Sequence, residues 1–140
     1  ATGGIADGRG AAAALLLGAS AVQIGTGFLR SPEAKTHPAW SDALAKTAPE
    51  GTMVSRVFSG RAGRSIATDY VRAATAENAP APAPYPVQRG LTAAMRAEGG
   101  KAGDVHRMQV WAGQSAAMAR AEPAGEIVRR VWRETEELLD

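Results

Sequence analysis

The sequence has no cysteine, which rules out a disulfide framework and a thiolate metal site and leaves nothing in the thiols to indicate redox compartment. Aromatic residues are scarce, at 5%. Ala supplies much of the 45% apolar fraction, so the core is expected to be built from small side chains. Long hydrophobic runs are also missing. The longest, Ala11 to Leu17, stops at Gly18, far short of the ~20 residues a helix needs to cross a bilayer. Neither charge dominates, with 16 Lys and Arg against 14 Asp and Glu. The basic residues are spread along the chain with no block, so the high pI does not imply nucleic acid. The chain opens Ala1-Thr2-Gly3-Gly4 with no initiator Met and no leader-like segment, and is expected to be a piece of a longer protein, with cytoplasm as the default compartment.

Local signals predict an α/β order. Asp7 is placed to cap a helix through the Ala11–Leu17 run, and Gly18 to stop it. Ala21-Val22-Gln23-Ile24, bounded by glycines, reads as a short buried parallel strand. Ser31-Pro32-Glu33 opens a helical region, and Pro38 restarts a helix running to about Thr47. Thr52 to Phe58 alternates as a strand, Ser59 to Gly63 is a basic turn, and Ile66 to Ala76 is expected to be helical. Ala79 to Pro86, alternating Pro with Ala and Tyr, reads as an extended arm. Gly113–Ala121 and Pro123–Leu139 are expected to be helices. The second sets Ile127, Val128, Val131, Trp132, Thr135, Leu138 and Leu139 near one face.

The most informative stretch is Gly3-Gly4-Ile5-Ala6-Asp7-Gly8-Arg9-Gly10 entering the first helix, because paired glycines let backbone N–H groups approach an anion at a helix N-terminus. A tight strand–helix turn using glycine for its dihedrals alone gives the same pattern. A second glycine turn, Gly25-Thr26-Gly27, follows the strand one unit later. In (β/α)8 enzymes, consecutive loops after strands seven and eight commonly form a phosphate site. Gln23, just before the second turn, is placed either to reach a ligand or to satisfy buried backbone. His37, before Pro38 at a helix start, and His106, in a polar stretch, read as surface or structural, and with no second His at metal-ligand spacing no metal site is expected. Arg56, Arg61 and Arg64 read as a solvated basic surface. Glu134, Glu136 and Glu137 read as a solvated helix face. Trp111 reads as core, near a Gln114 of open role.

These turns, together with Val22-Gln23-Ile24-Gly25-Thr26 and Phe28-Leu29, resemble the nitronate monooxygenase family, formerly the 2-nitropropane dioxygenases. The resemblance continues in order through Ser55-Arg56-Val57-Phe58-Ser59-Gly60-Arg61, Pro84-Tyr85-Pro86-Val87-Gln88 and Trp111-Ala112-Gly113-Gln114, nearly the whole chain. It implies the C-terminal portion of an FMN-binding (β/α)8 (TIM) barrel with a mostly helical second region. Residues 1–30 would be the last barrel units, 31–119 the smaller substrate-side region, and 120–140 the helix returning to the barrel. It also implies that Gly3, Gly4, Gly25 and Thr26 hold the FMN phosphate, with Gln23 contacting the cofactor.

The implied reaction is oxidation of an alkyl nitronate or nitroalkane by molecular oxygen to a carbonyl compound and nitrite. FMN would carry the electrons. The family's catalytic His lies in a Gly-Gly-His motif that this sequence does not contain, so no catalytic residue is assigned and these residues alone are expected to be inactive and poorly stable. Two alternatives follow. An FMN-dependent enoyl-acyl-carrier-protein reductase using NAD(P)H has a similar Gly-Gly-Ile-Ala-Asp-Gly turn, and a non-catalytic phosphate-binding or interaction module would use the turn without a flavin.

Overall fold

A computed structural model describes all of residues 1–140. Its N-terminal part is a helix between two short extended segments held by a single parallel bridge, so the expected buried strand Ala21–Ile24 is reduced to one bridged residue, Gln23, and is only partly covered. Gln23 N donates to Ala1 O at 2.8 Å, Ala1 N donates to Ala21 O at 2.7 Å, and Thr2 bridges Gln23 in parallel. Between these strand ends runs α1 (Gly8–Leu16), where Asp7 Oδ1 accepts from Gly10 N at 3.0 Å as the N-cap. The helix ends as expected, with Gly18 in the left-handed region at φ 96°.

The long C-terminal helix α6 (Ala124–Leu139) packs along α1. Ile127, Val131 and Thr135 recur at helical spacing, are buried, and meet Ala11, with Ile5, Val22, Ile24 and Phe28 around them. Gly8 lets the two helices touch, since a Cβ there would overlap Glu134 and the Thr135 backbone. Only part of the expected apolar face is covered. Val128, Trp132, Leu138 and Leu139 stay exposed. Val128 and Trp132 border an open apolar groove of about 390 Å³ with Leu15, Val22 and Phe28.

After a 3-10 turn at Pro32–Ala34, α2 (Pro38–Lys46) starts on Pro38 as expected and ends at Thr47. The next region departs from the sequence reading. Strand β1 is shorter, Thr52–Ser55, and pairs antiparallel with β2, Gly63–Ile66. Helix α3 (Asp69–Ala74) therefore begins after Ile66, capped by Thr68. Ile66 was drawn out of the helix by a non-local partner, since its N–H donates to Val110 O at 3.0 Å. Trp111 bridges Ser65 on the same edge, and Ala112 N donates to Arg64 O.

That edge also explains why Gly113–Ala121 is not a helix. Only a 3-10 turn, Ala116–Met118, forms there, because the backbone leading into it is committed to β2 and to Thr26. The arm carries no helix or strand up to Pro84 and is pinned by Gln88, which accepts from Ala83 N and donates to Val57 O. It crosses Gly60 closely enough that a Cβ there would overlap the backbone of Ala83 to Tyr85. Two unanticipated helices follow, α4 (Val87–Leu91) and α5 (Ala93–Ala102). The turn between β1 and β2 buries Val57 and Phe58, whose carbonyls accept from Tyr70 Oη, Gln88 Nε2 and Thr92 Oγ1.

Candidate functional site

The parallel pairing of Thr2 with Gln23 sets the two glycine turns side by side at adjacent strand ends. Gly3 (φ 93°) and Gly4 (φ 74°) are successive left-handed residues, and a Cβ on either would meet nothing within 4 Å. The N–H groups of Gly4, Gly25 and Thr26 have no acceptor in the protein. Backbone donors are nearly always paired unless water or a ligand takes them. An open concave run of free N–H groups is the backbone's means of binding an anion.

One detail of the sequence reading changes. The anion was expected at the N-terminus of α1, but that terminus is already filled. Gly10 N donates to Asp7, and Gly8 N donates to Glu134 Oε2 at 2.9 Å. The free donors belong to the Gly3-Gly4 turn and to the start of the 3-10 turn Thr26–Phe28. Glu134 is accordingly not part of a merely solvated face. The Gly8 N–H, then the Arg130 guanidinium, hold its carboxyl below the usual carboxylate range. Asp7 is lowered likewise, chiefly by the Gly10 N–H and also by Arg9.

Gln23 points away from the apolar cluster that takes Val22 and Ile24, because side chains alternate along a strand. Its residue is exposed and its amide has no partner, so it does not serve buried backbone. Thr26 Oγ1 accepts from Gly113 N at 2.9 Å, which leaves the hydroxyl proton to donate outward. The sequence reading missed Gly113. Its contact joins the Trp111–Gln114 segment to the second glycine turn, across a separation in sequence that no local pattern reports.

His37 Nδ1 accepts from Ala39 N at the start of α2, and His106 Nδ1 lies 3.0 Å from Asp69. No group of three or more His, Asp or Glu is placed to hold a metal. Trp111 is half-buried against Gly63 and meets Phe58 edge-on at 6.0 Å. It also walls a polar cleft of about 460 Å³ shared with Arg61, Arg64 and Arg89. Arg64 is therefore not a solvated surface residue, since its Nη1 donates to Thr52 Oγ1 at 2.9 Å.

The sequence profile of the nitronate monooxygenase family matches residues 1–134. The chain belongs to the nitronate monooxygenase family. It is 38% identical over 144 residues to a nitronate monooxygenase of Paraburkholderia phytofirmans, spanning 100% of this chain and 38% of that protein. A probable nitronate monooxygenase of Staphylococcus aureus is 33% identical, with 99% of this chain and 39% of that protein aligned. Among solved structures, nitroalkane oxidase from Streptomyces ansochromogenes superposes with a TM-score of 0.86 at 40% identity, over 97% of this chain and 38% of that one. FabK from Thermotoga maritima gives 0.78 at 32% identity, over 99% and 44%. The chain thus spans about two fifths of the length of these nitronate monooxygenase relatives. The likeness agrees with a portion of an α/β barrel. No helix is long and apolar enough to cross a membrane.

Proposed function

We propose that the complete protein is an FMN-dependent enzyme that oxidises alkyl nitronates with molecular oxygen to a carbonyl compound and nitrite, and that Gly3, Gly4, Gly25 and Thr26 hold the flavin phosphate. The observation that carries this reading is the pair of adjacent glycine turns in which the N–H groups of Gly4, Gly25 and Thr26 have no protein acceptor, in a chain of the nitronate monooxygenase family. A phosphate fits them, because the left-handed turn at Gly3 and Gly4 leaves open space where side chains would stand. When bound, FMN supplies the redox chemistry, accepting electrons from the substrate and passing them to oxygen.

The contributions of this chain are binding and orientation. The free N–H groups would donate to phosphate oxygens, the Thr26 hydroxyl would add a donor beside them while accepting from Gly113, and the Gln23 amide would contact the cofactor from the same segment.

The likeness to FabK favours a second reading, an enoyl-acyl-carrier-protein reductase drawing hydride from a nicotinamide. Anaerobic titration of the flavin-loaded complete protein separates the two. Bleaching of the flavin by an alkyl nitronate and not by NADH or NADPH is expected. Bleaching by reduced nicotinamide alone moves the assignment to the reductase, and a protein that holds no flavin returns it to a non-catalytic module.

A further inference from the structure

The arginines of this chain divide into two populations. Arg9, Arg107, Arg120, Arg129, Arg130 and Arg133 each have a carboxylate within 4.0 Å. Arg30, Arg56, Arg61, Arg64, Arg72, Arg89 and Arg96 have none; from Arg56 to Arg96 the reason is that between Glu50 and Glu98 the only carboxylates are Asp69 and Glu77, and Asp69 faces His106. The fold gathers Arg61, Arg64 and Arg89 around one cleft whose lining contains no Asp or Glu. Like charges brought together without counter-charge repel. An anion placed among them would relieve that repulsion.

The cleft is also held in shape. Arg64 is tied to Thr52, and the Arg61 guanidinium lies 3.9 Å above the centre of the Tyr85 ring. Tyr85 is set by the arm that Gln88 clamps to Val57 and that crosses Gly60. Gln109, which lines the cleft, accepts at Oε1 from Arg96 at 3.2 Å, so its amide NH2 has no partner in the protein, and Arg96 also donates to Arg89 O at 2.9 Å. Arg89 and Arg61 use no guanidinium hydrogen bond within the protein. At about 460 Å³, the cleft falls in the range of small-molecule sites.

We propose that this cleft is a second anion site, separate from the glycine turns, which takes the phosphate group of a phosphorylated small molecule. Planar guanidinium forks suit phosphate and carboxylate oxygens. Several forks with an amide donor and no acceptor among the charged groups match a phosphate, which carries more charge and more acceptor oxygens than a single carboxylate. The proposal does not depend on the flavin reading.

The test is calorimetric titration of the complete protein, with its cofactor in place, using pyrophosphate and, in parallel, succinate at low salt. Pyrophosphate is expected to bind at one site per chain. Arg61→Ala and Arg89→Ala should each weaken it by about tenfold or more, the usual size of a lost charge-assisted hydrogen bond. Arg72→Ala, on the exposed side of α3, should leave it unchanged. Neither Arg61 nor Arg89 makes a guanidinium hydrogen bond within the protein, so the two variants should stay folded by circular dichroism and keep their flavin content, which separates this site from the glycine turns. Absence of pyrophosphate binding, equal binding in all four proteins, or a preference for succinate would overturn the proposal.

Discussion

The hydroxyl of Thr26 accepts a hydrogen bond from the backbone N–H of Gly113 at 2.9 Å, tying the second glycine turn to the segment that follows Trp111. A hydroxyl that accepts in this way still has its own proton to donate, and the adjacent N–H groups of Gly25 and Thr26 are free. The contact therefore makes one surface of two remote stretches of sequence.

Thr26→Ala should weaken FMN binding roughly tenfold to a hundredfold, the range for losing a hydrogen bond to a charged group. Thr26→Ser should keep most of the affinity. Quenching of free FMN fluorescence by the apoprotein measures both.

Gly4→Val tests the first turn. Nothing lies within 4 Å of the added Cβ, yet φ is 74°, a region that costs a side-chain-bearing residue roughly 1–2 kcal/mol, with β-branching adding to it. The protein should remain folded by circular dichroism while flavin retention is lost. Full flavin occupancy in the purified variant would remove Gly4 from the site.

How much of this was legible in the sequence depends on where each backbone group finds its partner. Asp7, α1 and the Ile127–Val131–Thr135 stripe announce themselves locally, through a cap and a period, and they form as read. The β2 strand, the Trp111 edge and the missing helix after Gly113 do not, because their hydrogen bonds go to residues far along the chain. Periodicity likewise placed Val128 and Trp132 with the buried face, whereas they border an open groove. A period reports an apolar face and is silent on what covers it. The arginines of the cleft were unreadable for a related reason, since Arg89 joins Arg61 and Arg64 only through the arm that crosses Gly60.

Gly8→Ala should destabilise the packing of α1 on α6 although Ala is the better helix former. The propensity gain is at most about 1 kcal/mol, whereas the Cβ would overlap Glu134 and the Thr135 backbone, and overpacking costs typically about 1–3 kcal/mol. Thermal unfolding should show a lower midpoint. An unchanged or raised midpoint would mean that the helices separate there at no cost.

Acid should loosen the same contact. The carboxyl groups of Glu134 and Asp7 are both held below their ordinary values, first by the Gly8 and Gly10 N–H groups respectively. A depressed folded-state value means that the stabilisation is present above the unfolded carboxylate value and is lost as pH falls through the folded one. Stability should therefore decline below the ordinary carboxylate range. Glu134→Gln should lower stability at neutral pH and flatten that decline, as followed by urea unfolding at a series of pH values.

The most direct test of the central claim, that the glycine turns bind the flavin through its phosphate, is to compare FMN with riboflavin on the apoprotein prepared from the complete protein. The account predicts much tighter binding of FMN than of riboflavin, with the difference abolished in Gly4→Val. Equal affinity for the two flavins, or an FMN preference that survives Gly4→Val, would contradict it.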